Sequence, residues 1–230
     1  MKMISKLISA GMLAGACAFA HAGPVDIFDL KADNGSAIFN DTSGDGPIYD
    51  TGLSYAQLTD TDGDSDSAGA FLLFEFAGFA NINSFGIYDI NNTGEALQVF
   101  EGGDTSNVNE NSRVDFDLEA GTAKTRFGTA DIGSTFGFYL QRGSTKFYSD
   151  AALNGGIDMT RIFDVSKSFN SAFSNSSLII AFEDLLNGDF DYNDLVVGIS
   201  DVKAVSEPGT LALFGLGMLG LGMARRRKSA

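Results

Sequence analysis

Arg113-Val114-Asp115-Phe116-Asp117-Leu118-Glu119 alternates charged and apolar residues without a break. In an extended chain successive side chains point to opposite faces, so Val114, Phe116 and Leu118 share one face and the charged residues the other. A helix would scatter the same residues around its axis. The stretch reads as a strand with one buried side.

Short runs of the same kind lie on both sides of it. They are Phe71–Phe76, Ser84–Ile90, Ala96–Phe100, Lys124–Ala130, Thr135–Gln141, Thr145–Ser149, Met159–Val165, Leu178–Phe182 and Leu195–Val205. Turn-forming residues separate them: Asn91-Asn92-Thr93-Gly94, Gly102-Gly103, Ala120-Gly121, Arg142-Gly143, Asn154-Gly155-Gly156 and Asn187-Gly188. No segment between the two ends holds a helical period for three turns. The pattern predicts an all-β fold, a two-sheet sandwich of jelly-roll type over residues 70–203. Residues 23–69 are polar and rich in Gly, Asp and Ser, and read as loops with one or two short strands. Of the 20 Phe, most sit at strand positions and are read as core; there is no Trp.

The two ends are of another kind. Lys2 and Lys6 precede an apolar run, Leu7 to Phe19, and Ala20-His21-Ala22 offers the small-x-small pattern that a signal peptidase accepts. Residues 1–22 are therefore read as an export signal helix, against a buried N-terminal helix. Cys17 raises a lipoprotein signal as another reading, but Ala14 stands where that signal wants a bulky aliphatic residue. At the other end, Leu211 to Ala224 is uncharged and Arg225, Arg226, Arg227 and Lys228 follow at once. A span of about 20 apolar residues is usual, so a helix over 210–224 is a short one. The basic cluster orients it with the C-terminus in the cytoplasm and the domain outside.

Ser206-Glu207-Pro208-Gly209-Thr210, the LALFGLG run and the terminal arginines together resemble the PEP-CTERM sorting signal of Gram-negative bacteria, over residues 204–228. Ser206 stands where that family usually has Pro. The resemblance implies cleavage by a membrane protease, exosortase, with Glu207 and Pro208 in its recognition motif. Membrane association would then be transient, because the hydrophobic tail holds the protein for processing and is removed. The protein would pass from an inner-membrane intermediate to the cell surface or extracellular matrix. A permanent C-terminal anchor is the other reading of the same tail.

Composition narrows the chemistry. Residues 23–207 hold all 30 acidic residues against nine basic ones, a net charge of −21. Such a surface repels nucleic acid and anionic headgroups and attracts divalent cations. The single His (His21) and single Cys (Cys17) both lie in the segment expected to be removed. A Ser-His-Asp triad, a Cys-His pair, His- or Cys-built zinc sites and disulfides are thereby excluded from the processed domain. Carboxylates remain, and they support oxygen-ligand metal binding or glycoside hydrolysis.

The strongest constellation is Glu183-Asp184-Leu185-Leu186-Asn187-Gly188-Asp189-Phe190-Asp191-Tyr192-Asn193-Asp194. In an extended or gently curved chain the oxygens of Asp189, Asp191 and Asn193 point to one side. A turn at Asn187-Gly188 brings Glu183 and Asp184 back toward them, and Asp194 closes the set. Hard oxygen donors converging at a turn suit Ca²⁺, which takes about 6–8 of them at ~2.3–2.6 Å. This is not an EF-hand, since the glycine at the sixth position and the closing glutamate are missing. A solvated turn held by Asx bonds is the plain reading of the same residues. A second candidate is Asp60-Thr61-Asp62-Gly63-Asp64-Ser65-Asp66, with Asp60, Asp62, Asp64 and Asp66 alternating.

The Glu183–Asp194 run also resembles the end of a secreted bacterial domain of unknown function that closes with an ED…DxDYND signature. Phe85-Gly86-Ile87-Tyr88-Asp89, Gln98-Val99-Phe100, Phe136-Gly137-Phe138-Tyr139-Leu140 and Phe147-Tyr148-Ser149-Asp150 fit it too. That resemblance spans roughly Ala70 to Val202 and supplies no enzymatic activity to carry over. The sequence thus predicts a non-enzymatic surface or matrix protein, sorted by exosortase, stabilised by calcium and associated with exopolysaccharide and biofilm. The alternatives are a calcium-dependent lectin or adhesin, and a glycoside hydrolase using a pair from Glu75, Glu101, Glu183 or Asp184. The absence of Trp, a usual sugar-stacking residue, weighs against the last.

Overall fold

The computed structural model describes residues 25–59, 67–74, 80–102, 104 and 111–206. The two flanking helices expected from the sequence, the processing residues Ala20, Ala22, Glu207, Pro208, Arg225, Arg226 and Arg227, and the run containing Asp60, Asp62, Asp64 and Asp66 lie outside them.

The described strands are β1 (Tyr55–Leu58), β2 (Ser67–Phe74), β3 (Asn83–Asp89), β4 (Asn92–Glu101), β5 (Asn111–Asp117), β6 (Thr122–Thr125) and β7 (Gly128–Ala130). They continue with β8 (Thr135–Arg142), β9 (Thr145–Tyr148), β10 (Thr160–Asp164), β11 (Leu178–Phe182), β12 (Leu195–Ile199) and β13 (Val202–Val205). Every strand pairing among them is antiparallel. One sheet runs β13-β1-β8-β3-β4 with β9 also on β8, and the other runs β10-β11-β12-β2-β5-β6-β7. This all-antiparallel, two-layer arrangement agrees with the expected sandwich.

The layers meet in one core. Phe85, Phe136 and Phe138 of the first sheet pack against Val114, Phe116, Ile180 and Phe182 of the second. The Phe116 and Phe136 rings stack at 5.3 Å, and Phe85 meets Phe182 edge-on at 6.2 Å. Val114 and Phe116 are buried between exposed Arg113, Asp115 and Asp117, as alternation requires. Burying each such ring contributes about 2–3 kcal/mol.

β11 is buried along its whole length because it is covered twice. Leu178, Ile180 and Phe182 face the shared core. Ile179 and Ala181 face a second cluster made with Ile27, Leu30 and Phe39 from the loop-rich N-terminal region. A strand covered on both sides reads as a continuous apolar run rather than an alternating one.

Two predicted strands divide in two. Lys124–Ala130 is the hairpin β6–β7, turning at Arg126-Phe127. Leu195–Val205 breaks at Ser200-Asp201, where Asp201 takes a φ of 63° and the chain crosses from the second sheet to the first. Asp tolerates that left-handed conformation better than a branched residue. β1, inside the loop-rich stretch, pairs between β13 and β8. On the outer face of the first sheet the cross-strand pairs Gly86–Tyr139 and Tyr88–Gly137 alternate ring and glycine. A Cβ on Gly137 would lie 2.3 Å from the Tyr88 ring, so each ring needs the glycine beneath it.

Candidate metal centre

β11 and β12 are paired neighbours, with Phe182 opposite Leu195, so the connection Glu183–Asp194 projects from one end of the second sheet. The Glu183 N–H donates to the Met159 carbonyl at 3.0 Å and carries the β10–β11 ladder one residue past the strand. This draws the Glu183 side chain inward, where it is 1% exposed. The chain then turns, the Gly188 N–H donating to the Leu185 carbonyl at 3.0 Å. A Cβ on Gly188 would stand 2.0 Å from Glu183 Oε1. Only glycine leaves room for the carboxyl under this turn.

The second half of the connection is curled where the sequence suggests an extended chain. Phe190 and Tyr192 both take left-handed backbone, with φ of 57° and 56°. Asp189 and Asp191 nonetheless both reach Glu183: a carboxylate oxygen from each of the three lies within 4.8 Å of the others. A second set of the same compactness joins Glu183 to Asp184 and Asp194. Glu183 belongs to both, and its Oε2 is buried with no hydrogen-bond donor.

Three of the predicted ligands, Asp184, Asp194 and Asn193, also have hydrogen-bond or ion-pair partners within the protein. Asp184 Oδ2 accepts from Asn83 Nδ2 at 3.0 Å, and its Oδ1 lies 3.6 Å from Arg142 Nη1. Asn83 and Arg142 are themselves a cross-strand pair of β3 and β8, so the first sheet clamps a carboxylate of the second. Asp194 Oδ2 accepts the Asp184 N–H at 2.8 Å. Asn193 is buried and donates its amide to the Lys31 carbonyl and to Asp191, bracing the loop against the N-terminal region. Beneath it, the Tyr192 ring lies 4.2 Å from the Arg161 guanidinium, and its hydroxyl donates to the Asp158 carbonyl at 3.2 Å. None of Asn83, Arg142, Lys31 or Arg161 was signalled by the sequence of the acidic run, because strand register and the N-terminal cover bring them there.

The electrostatics follow from this crowding. Burial, then the neighbouring Asp194, Asp189 and Asp191, push the Glu183 carboxyl up to about 8. Asp194 is raised to about 6, chiefly by burial. Asp191 is raised as well, again by burial first. Carboxyls gathered out of water hold protons because their charges are neither solvated nor balanced.

The described chain leaves β13 and ends at Ser206, at the edge of the basic-flanked tail. Residues 204–228 match the PEP-CTERM protein-sorting motif. The PEP-CTERM signal directs export and sorting to the cell surface by exosortase at the membrane. No curated protein and no solved structure matches the chain. Among the described residues no helix is long and apolar enough to cross a membrane.

Proposed function

We propose that this exosortase-sorted protein is a non-enzymatic component of the cell surface or extracellular matrix of a Gram-negative bacterium. Calcium bound by Glu183, Asp189, Asp191 and Asp194 stiffens its sandwich. Further cations shared between its acidic surface and an acidic exopolysaccharide hold it in the matrix or biofilm. The observation that carries the metal reading is the buried, donor-less Oε2 of Glu183 at the centre of two carboxylate sets. Such an atom costs stability unless it is protonated or coordinated, and calcium accepts irregular oxygen geometry.

Two of the four carboxylates of the glycoside hydrolase reading meet an obstacle of access, while Glu101 is exposed and Glu75 lies outside the described residues. Glu183 and Asp184 are each 1% exposed, so neither reaches a glycosidic oxygen without opening the loop. The lectin reading shares the calcium site and adds a specific sugar. Washing producing cells with a calcium chelator, against a magnesium-containing wash of equal ionic strength, tests the proposal. The chelator is expected to release the processed protein from the matrix fraction. Protein that stays equally bound in both washes would contradict it.

A further inference from the structure

The N-terminal region reaches the acidic centre through one turn. Leu30 and Phe39 are buried in the second apolar cluster with Ile179 and Ala181 of β11. Between them Lys31 and Ala37 form an antiparallel bridge, and the Ala32 N–H donates to the Ser36 carbonyl at 2.9 Å. The base of the turn is thus fixed on the sandwich, and Asp33-Asn34-Gly35 forms its tip. From that base the Lys31 carbonyl accepts from the Asn193 amide, which also bonds Asp191. Asn34 makes the side-chain bond of the turn, its Oδ1 accepting from the Ser36 N–H at 2.9 Å. Asp33 has no such task. It is exposed, and among the described residues its carboxylate has neither a hydrogen-bond donor nor an ion-pair partner. It stands within electrostatic reach of the centre: burial raises Asp191 most, and the charges of Asp189 and Asp33 add to it. Like charges brought together in this way repel.

Resting on the calcium reading above, we infer that Asp33 is a further ligand of the same ion, so that calcium ties the N-terminal region to the sandwich. The buried, donor-less Oε2 of Glu183 is the inner ligand of the site, and Asp33 closes it from the turn. Calcium takes about 6–8 oxygens, more than one from each of Glu183, Asp189, Asp191 and Asp194. A carboxylate from a turn already bonded to the ligand loop adds an oxygen without moving either sheet. An ion held by both parts stabilises their contact, and by linkage the contact raises the affinity for the ion by the same factor. The amides of the turn should therefore report calcium binding, although none of them touches the ion.

Asp33→Asn in the exported, processed protein tests the inference, with calcium titrated by calorimetry and amide hydrogen exchange followed in calcium and in chelator. Asp131→Asn controls for the lost net charge, since Asp131 is exposed and lies ahead of β8, whose far end carries Arg142 beside Asp184. D33N is expected to lower calcium affinity about tenfold, and D131N by less than about twofold. In the parent, calcium is expected to slow exchange of the Ala32 and Ile38 amides, both bonded within the turn, by about tenfold or more. D33N should lose that protection while melting with the parent in chelator, because Asp33 makes no bond in the fold. Equal affinity losses in the two variants, or calcium uptake by the parent with no added protection of the turn, would overturn the bridging and leave the metal site standing. A D33N protein that melts below the parent in chelator would assign Asp33 to the fold and overturn it as well. No calcium uptake by the parent would overturn the metal reading and the bridging together.

Discussion

Replacing Glu183 with Gln keeps the shape of the side chain and removes its ionisable proton, and the resulting gain in stability should be cancelled by calcium. In the calcium-free protein the Glu183 carboxyl is raised from 4.5 to about 8. Between those values the folded state binds more protons than the unfolded chain, so stability falls as pH rises through the window. At pH 7 the penalty is of order 2–3 kcal/mol, part of it shared with Asp194. E183Q escapes that penalty and can donate its amide to Asp189, Asp191 or Asp194. In chelator at pH 7 it should melt ~5–10 °C above the parent, given about 2–4 °C per kcal/mol for a domain of this size. At pH 4, below the unfolded value of 4.5, the difference should largely vanish, because the carboxyl is then protonated in the unfolded chain as well as in the folded state. In calcium the gap should close. The parent gains about 3 kcal/mol at a hundredfold excess over Kd, and the variant, lacking the shared ligand, gains little. The assay is thermal unfolding by circular dichroism at both pH values, with calcium and with chelator. A variant that melts below the parent by the same margin in all four conditions would refute the reasoning, since Glu183 would then stabilise the fold through contacts of its own.

Asp189→Asn removes one charge from the exposed side of the pocket and should lower calcium affinity about tenfold or more with little change in calcium-free stability, read by calorimetric titration. Asn83→Ala removes the amide that donates to Asp184 Oδ2, leaving Arg142 beside Oδ1, and should cost about 1–3 kcal/mol in urea unfolding. Gly137→Ala drives a methyl into the Tyr88 ring and should cost a similar ~1–3 kcal/mol, measured the same way; an unchanged midpoint would show that the ring can move aside. Glu207→Ala with Pro208→Ala should leave the C-terminal tail uncleaved, so that immunoblots find a larger, membrane-bound species in place of the sorted one.

Much of the fold was legible wherever a strand had one wet face. β5 announces itself by alternation, and Val114 and Phe116 lie where that alternation puts them. β11 was legible as a strand but not as a strand covered twice, because its cover comes from Ile27, Leu30 and Phe39, far earlier in a stretch dominated by polar residues. The break at Asp201 was hidden because the apolar pattern continues across it while the chain changes sheets. At the candidate centre the density of carboxylates marked the place, and Gly188 marked the turn. The curl at Phe190 and Tyr192 was not legible, since neither residue type favours positive φ. The clamp on Asp184 depends on the register of β3 against β8, which local sequence does not encode.

Calorimetric titration of calcium into chelator-treated, exported protein tests the central claim most directly. The account predicts saturable uptake, with Kd in the about 10⁻⁴–10⁻³ M range of extracellular modules, accompanied by a rise in melting temperature. No heat of binding and a melting temperature unmoved by millimolar calcium would contradict it.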